Sequence, residues 1–235
     1  MRRTSFAVAS LLFASMTFMG MADTASAKAK SIGEKPADSP GWVVIEEDWW
    51  YPLRFDPVDA FDSASYHFRR NEETAAANEI DRAVTWLKYA AGHAMPITKE
   101  KLDAAVTDLK SLSGDLRSGN LADAARLDGA LGRAAHVLAE WHFFKAKESY
   151  GKGEEGDAAQ NLEAAVAHLQ HAANSAHYQF GTDTITLFET IRRDGRTISE
   201  TKTIDNNVLG KNIDQVEKAV KELAETLKKT SQTRF

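Results

Sequence analysis

Ala75-Ala76-Ala77-Asn78-Glu79-Ile80-Asp81-Arg82-Ala83-Val84 is answered 82 residues later by Asp157-Ala158-Ala159-Gln160-Asn161-Leu162-Glu163-Ala164-Ala165-Val166. The match continues through Leu87 and Leu169, Ala90 and Ala172, and Ala91 and Ala173. It extends backwards through Phe61 and Phe143, Ala64 and Ala146, and the acidic pairs Glu72-Glu73 and Glu154-Glu155. In both copies apolar residues recur at steps of three and four, which gathers them on one face of an α-helix. A helix, a short acidic turn and an Ala-rich helix therefore occur twice, and the small alanines let paired helices approach closely. Two copies fall short of the three or more that a solenoid needs for a continuous core. The expected architecture is a helical bundle containing a duplicated hairpin.

The helical pattern extends to both sides of the repeat. Asp56-Pro57 reads as an N-cap followed by proline at the first helical position, opening the helical region 57–178. Val58, Phe61, Ala64 and Phe68 make the first stripe, and a second helix over 74–94 ends before Pro96. Thr98 is expected to cap a third helix. A fourth runs over 121–150 and is broken by Gly151, Gly153 and Gly156; a fifth covers 157–178. Residues 184–204 are rich in Thr and Ile around Asp194-Gly195, and Asp-Gly between β-formers predicts a β-hairpin. In a last helix, 207–230, Leu209, Ile213, Val216, Val220, Leu223 and Leu227 form a seam suited to packing on its own chain. The chain thus reads as mainly α, about six helices and one β-hairpin, in a single domain over 41–235.

Ahead of the helices lies an aromatic segment, 41–55, with three of the five tryptophans. Such rings bury large areas, so the segment is expected to cross the helices as a plug or short strand. The alternative is a docking patch of Trp42, Trp49, Trp50 and Tyr51. Residues 28–40, with Gly33, Pro36 and Pro40, read as a flexible leader. Residues 1–27 have the layout of a secretory signal peptide: Arg2-Arg3, an uncharged apolar stretch from Phe6 to Met21, then Ala25-Ser26-Ala27. Cleavage near Ala27 would place the mature chain in the periplasm or outside the cell, with no further segment apolar enough to span a bilayer.

The chain has no cysteine, which excludes a lipid-bearing cysteine, disulfides, C-x-x-C-H haem attachment and thiolate metal sites. The full chain carries 29 basic and 34 acidic side chains; without 1–27 it keeps 27 and 33. That interspersed, mildly acidic balance argues against nucleic acid, whose binding rests on Lys and Arg contacts to phosphate. The expected partners are an envelope protein or a second copy, through helices.

Gly119-Asn120-Leu121-Ala122-Asp123-Ala124-Ala125 and Gly156-Asp157-Ala158-Ala159-Gln160-Asn161-Leu162 place Gly-Asn or Gly-Asp near a turn ahead of alanine-rich helix. Between Val58 and Tyr178 the chain resembles tetratricopeptide-like hairpins and the YfdX family of exported bacterial proteins. That likeness implies a periplasmic, stress-linked helical protein without catalysis. It does not cover the aromatic segment or Asp194-Gly195, and the tetratricopeptide consensus of Trp, Gly, Tyr and Pro is missing.

Chemistry, if any, rests on seven histidines: His67, His93, His136, His142, His168, His171 and His177. His168 and His171 stand one turn apart, a spacing that can chelate a metal. Against the stripe Leu162, Val166, Leu169 and Ala173, however, His168 falls to the flank and His171 nearly opposite. Their repeat partners, Trp86 and Tyr89, suggest a second, partly buried face. His142 falls on the apolar stripe of the fourth helix, as a core histidine held by one hydrogen bond. Facing another histidine inside the bundle, it would open a cofactor site. The candidate ligand set is His168, His171, His142 and His136, for a transition metal or haem; no cofactor is expected otherwise. No Glu-x-x-His pair exists, Met95 is the only methionine beyond the signal, and no catalytic motif occurs, so no catalytic residue is expected.

Overall fold

The computed structural model describes residues 47–120, 123–201 and 205–232, with side chains over 57–120, 123–194 and 205–229. The signal-peptide and leader readings, and Trp42, lie outside the described residues. Among the described residues seven helices follow one another: α1 Glu47–Arg69, α2 Glu73–Gly92, α3 Pro96–Arg117, α4 Ala124–Gly151, α5 Glu155–Ser175, α6 Thr182–Thr201 and α7 Asn206–Gln232. No strand occurs among the described residues.

The repeat is reproduced in the backbone. α1 and α4 end at Arg69 and Gly151, and α2 and α5 begin at Glu73 and Glu155, both pairs at the sequence offset of 82 residues. Between them, Asn71 (φ 61°) and Gly153 (φ 77°) occupy the left-handed region. The N–H of Glu72 reaches the carbonyl of His67, and that of Asn71 reaches Phe68; Glu154 and Gly153 repeat this with Ser149 and Tyr150. This is the Schellman motif, in which a left-handed residue lets two following N–H groups satisfy carbonyls the helix end would orphan. α3 and α5 end the same way, at Gly119 and at His177 (φ 52°).

α4 and α5 form the most extensive pair, and α1–α2 and α2–α3 the next. Gly132 makes the α4–α5 approach close: a Cβ there would meet the Ser175 Cβ at 3.1 Å and the Ala172 oxygen at 3.4 Å. α7 lies against α4 and α5 and buries Leu209, Ile213, Val216, Val220 and Leu223 on its own chain, as the seam predicted.

Two expected elements are corrected. The β-hairpin at 184–204 is instead helix α6. Phe188 and Ile191 are buried, and Ile185 is half-buried, at a helical step of three. These residues pack against α5, with Phe188 meeting Phe180 of the α5–α6 connection, whereas a lone hairpin would have had no sheet to bury its face against. Tertiary burial therefore overrides the β-propensity of the threonines and the turn tendency of Asp194-Gly195. Likewise, helix does not start at Pro57 but runs through it from Glu47, so the segment 41–55 is helical and not strand from Glu47 onward. An interior proline costs about 3 kcal/mol. The apolar sequence Trp50, Leu53, Pro57, Phe61, Ala64 and Phe68 steps by threes and fours, and burial of Pro57, Phe61 and Ala64 along this face offsets that cost.

Smaller differences follow from local chemistry. α3 starts at Pro96 rather than at a Thr98 cap; Thr98 is buried and its hydroxyl donates to the Met95 carbonyl at 3.2 Å. α4 is capped by Asp123, whose carboxylate accepts from the Ala125 N–H at 2.8 Å.

Candidate functional site

α4 and α5 bring His142 and His168 together. Both are fully buried, and their rings stack with centroids 5.3 Å apart and planes 12° from parallel. Asn161, nearly two turns before His168, places its side-chain oxygen 3.2 Å from His142 Nδ1. The Trp141 ring flanks His142 at 4.6 Å. His168 is thus a core residue and not, as its position relative to the leucine stripe suggested, at the flank of α5.

His136 and His171 stand apart from that pair. His136 is buried one and a half turns earlier on α4, and its Nε2–H donates to the Val220 carbonyl of α7 at 3.0 Å. Burial pushes its pKa down, against that hydrogen bond and the nearby Glu140 carboxylate, with Lys101 and Lys228 adding to the fall. His171 faces α1, where its Nδ1 lies 3.1 Å from Asp62 Oδ1. His168 and His171 therefore turn to different neighbours. Among the described residues no three His, Asp or Glu side chains gather closely enough to hold a metal ion. Trp49, Trp50 and Tyr51 fall on the first turns of α1.

His171 opens onto a concavity. A trough of about 850 Å³ has its floor on α5, with Ala167, Gln170, His171 and Asn174, and its walls on α1 and α6. The small Ala167 and Ala173 leave its depth. Val58, Tyr178 and Ile185 give apolar surface; Asp62 on α1 and Arg192 on α6 carry opposite charges. Tyr178, at one end, donates its hydroxyl to Glu222 of α7, and that bond pushes its pKa up to about 12.

Asp62, His171 and Ser175 stand in the order carboxylate, imidazole, hydroxyl, with Ser175 Oγ 3.3 Å from His171 Nε2. A carboxylate only accepts, so Nδ1 is the donor side toward Asp62; with a neutral ring, Nε2 accepts from the Ser175 hydroxyl. A hydrolytic relay also needs free N–H donors for an oxyanion. Here the N–H groups of Ala176, His177 and Tyr178 all bond carbonyls of α5. The Asp62–His171 contact links α1 to α5.

Asp62, Gln170 and Arg192 were not singled out by sequence. Each is an ordinary polar residue on an amphipathic helix, and only the packing of α1 and α6 on α5 joins them. The one available signal was Ser175, placed four residues after His171 and so on the same helix face. Among the described residues no helix is long and apolar enough to cross a membrane. Comparison with protein families, with curated proteins and with solved structures finds no match to this chain.

Proposed function

We propose that this chain is a non-catalytic interaction protein of the cell envelope, chaperone-like or stress-related, whose working surface is the trough between α1, α5 and α6. The observation that carries this reading is the trough itself. Its volume of about 850 Å³ falls within the ~300–1,000 Å³ of ordinary ligand sites, and it combines apolar surface with a few polar groups. The export layout of residues 1–27 supports the location, and the likeness to YfdX-like exported proteins supports the class. The first turns of α1, with Trp49, Trp50 and Tyr51, offer a second contact for an envelope protein or another copy.

The test is photo-crosslinking in envelope extracts from a probe at exposed Asn174 in the trough, compared with one at exposed Lys110 on α3. A product specific to 174 and abolished by Ala167→Phe supports the reading. Equal labelling from both positions overturns it.

The stacked imidazoles of His142 and His168 favour a second reading, a histidine-based carrier of a transition metal or haem. Metal–imidazole bonds of about 2.0–2.1 Å require two nitrogens to point at one centre, so one ring of the stack would have to turn. Metal analysis of protein purified from periplasm, with thermal shifts on Zn, Cu, Ni and haem, tests it. Metal-free protein without a shift ends this reading, and a shift lost in His142→Phe sustains it.

A further inference from the structure

The trough carries one carboxylate and one guanidinium on facing walls, and they do not pair with each other. Asp62 is largely exposed, and among the described residues the one ionisable group beside its carboxylate is the His171 ring, 3.1 Å away. Arg192, also exposed, has no ion-pair partner among the described residues. Between them on the α5 floor, the side-chain oxygen of Gln170 is buried and accepts no hydrogen bond. A buried acceptor without a donor is a standing cost, which a bound donor would relieve once the Gln170 amide turns into the trough. Val58, Tyr178 and Ile185 supply half-buried apolar surface beside these groups.

We infer that the trough binds a small zwitterion with an apolar body, of the class of an apolar dipeptide. This rests on the trough being the binding surface. An ammonium offers three N–H donors and matches Asp62 and the Gln170 oxygen. A carboxylate matches the planar fork of Arg192. The apolar side chains cover Val58, Tyr178 and Ile185. An anionic amphiphile would answer Arg192 and leave Gln170 unsatisfied. A simple amine would answer Asp62 and leave Arg192 without a counter-ion. Only a ligand bearing both charges satisfies both walls.

Calorimetric titration of the full chain with the free dipeptide Leu-Phe tests this, beside its N-acetylated and C-amidated forms. Either cap is expected to weaken binding roughly tenfold or more, the loss of one charge-assisted contact. Arg192→Ala should weaken the free dipeptide by a similar factor and leave the amidated form unchanged. Asp62→Asn should weaken the free dipeptide and leave the acetylated form unchanged. Both residues are exposed, and circular dichroism verifies that the variants fold. No saturable binding up to millimolar dipeptide, or caps and variants without selective effect, overturns the assignment. If the crosslink at position 174 persists in that case, only the ligand class has failed; if it too is absent, the trough is not the working surface.

Discussion

α2 and α5 are copies of one helix in two surroundings. Both bury the same eight positions of the repeat, Ala76, Ala77, Ile80, Ala83, Val84, Leu87, Ala90 and Ala91 in α2 and their partners 82 residues later in α5. α5 buries five more, Glu163, Ala164, Ala167, His168 and His171. Their counterparts in α2 are exposed at Asp81, Arg82 and Thr85 and half-buried at Trp86 and Tyr89. α5 touches α1, α4, α6 and α7, whereas α2 touches α1 and α3 and only slightly α4. The stripe that makes a hairpin is therefore one code, and the remaining faces answer to whatever packs over them. Both the histidine stack and the trough belong to the faces that α5 has gained.

Exchanging residues between the copies should break this comparison most sharply. Ala164 is fully buried and corresponds to exposed Arg82. Ala164→Arg should cost more than about 4 kcal/mol and leave little folded protein, because it buries an unpaired charge. The reciprocal Arg82→Ala should cost only about 1 kcal/mol, because Arg82 is exposed and loses only its ion pair to the half-buried Glu79. Urea unfolding read by circular dichroism measures both; similar losses would mean that α2 and α5 do not differ in surroundings.

On the shared stripe the copies should instead agree. Leu87 and Leu169 are both fully buried, so Leu87→Ala and Leu169→Ala should each cost about 2–5 kcal/mol in the same unfolding assay. A clear excess at Leu169 would show that the second core is less able to collapse around a cavity.

The turns give a smaller difference. Gly153→Ala should destabilise by about 1–2 kcal/mol, since an L-residue with a Cβ pays for the left-handed region. At the matching position Asn71→Gly should gain only a few tenths, because asparagine already tolerates that conformation. Thermal melts of the two variants compare the turns directly.

The smallest effects are read through pH. Burial holds His136 below its ordinary 6.5, so near neutral pH the folded and unfolded chains are both unprotonated there. As pH falls through 6.5 the unfolded chain takes up the proton first, and stability declines toward the lower folded pKa. His136→Gln should flatten that decline. Burial pushes Glu148 up, but Lys152 and Lys145 outweigh it and hold the carboxyl below 4.5. Its contribution is present above 4.5 and is lost as pH falls through the lower folded value, and Glu148→Gln should remove that step. In the first hairpin Glu72 is also held low, by His67 and then Arg70, but at the surface, so Glu72→Gln should change the urea midpoint least.

The duplicated hairpin was legible because its signals are local: the alanine stripe and the acidic pair at each turn. The same locality misread 184–204. Threonine and isoleucine content and Asp194-Gly195 outweighed the step from Ile185 to Phe188 to Ile191, whose meaning depends on α5 lying beneath. It also set His168 at the flank, since a single stripe was assumed for a helix that is covered on several sides.

By itself, then, the sequence determined most of the helices and the repeat that pairs two of the hairpins. These follow from residue spacing and chemistry along the chain. Tertiary structure alone decided that His142 meets His168, that His171 turns to Asp62, and that Gln170 and Arg192 share a trough. Those relations join residues far apart in sequence, and only the packing of α1, α4 and α6 around α5 brings them within reach.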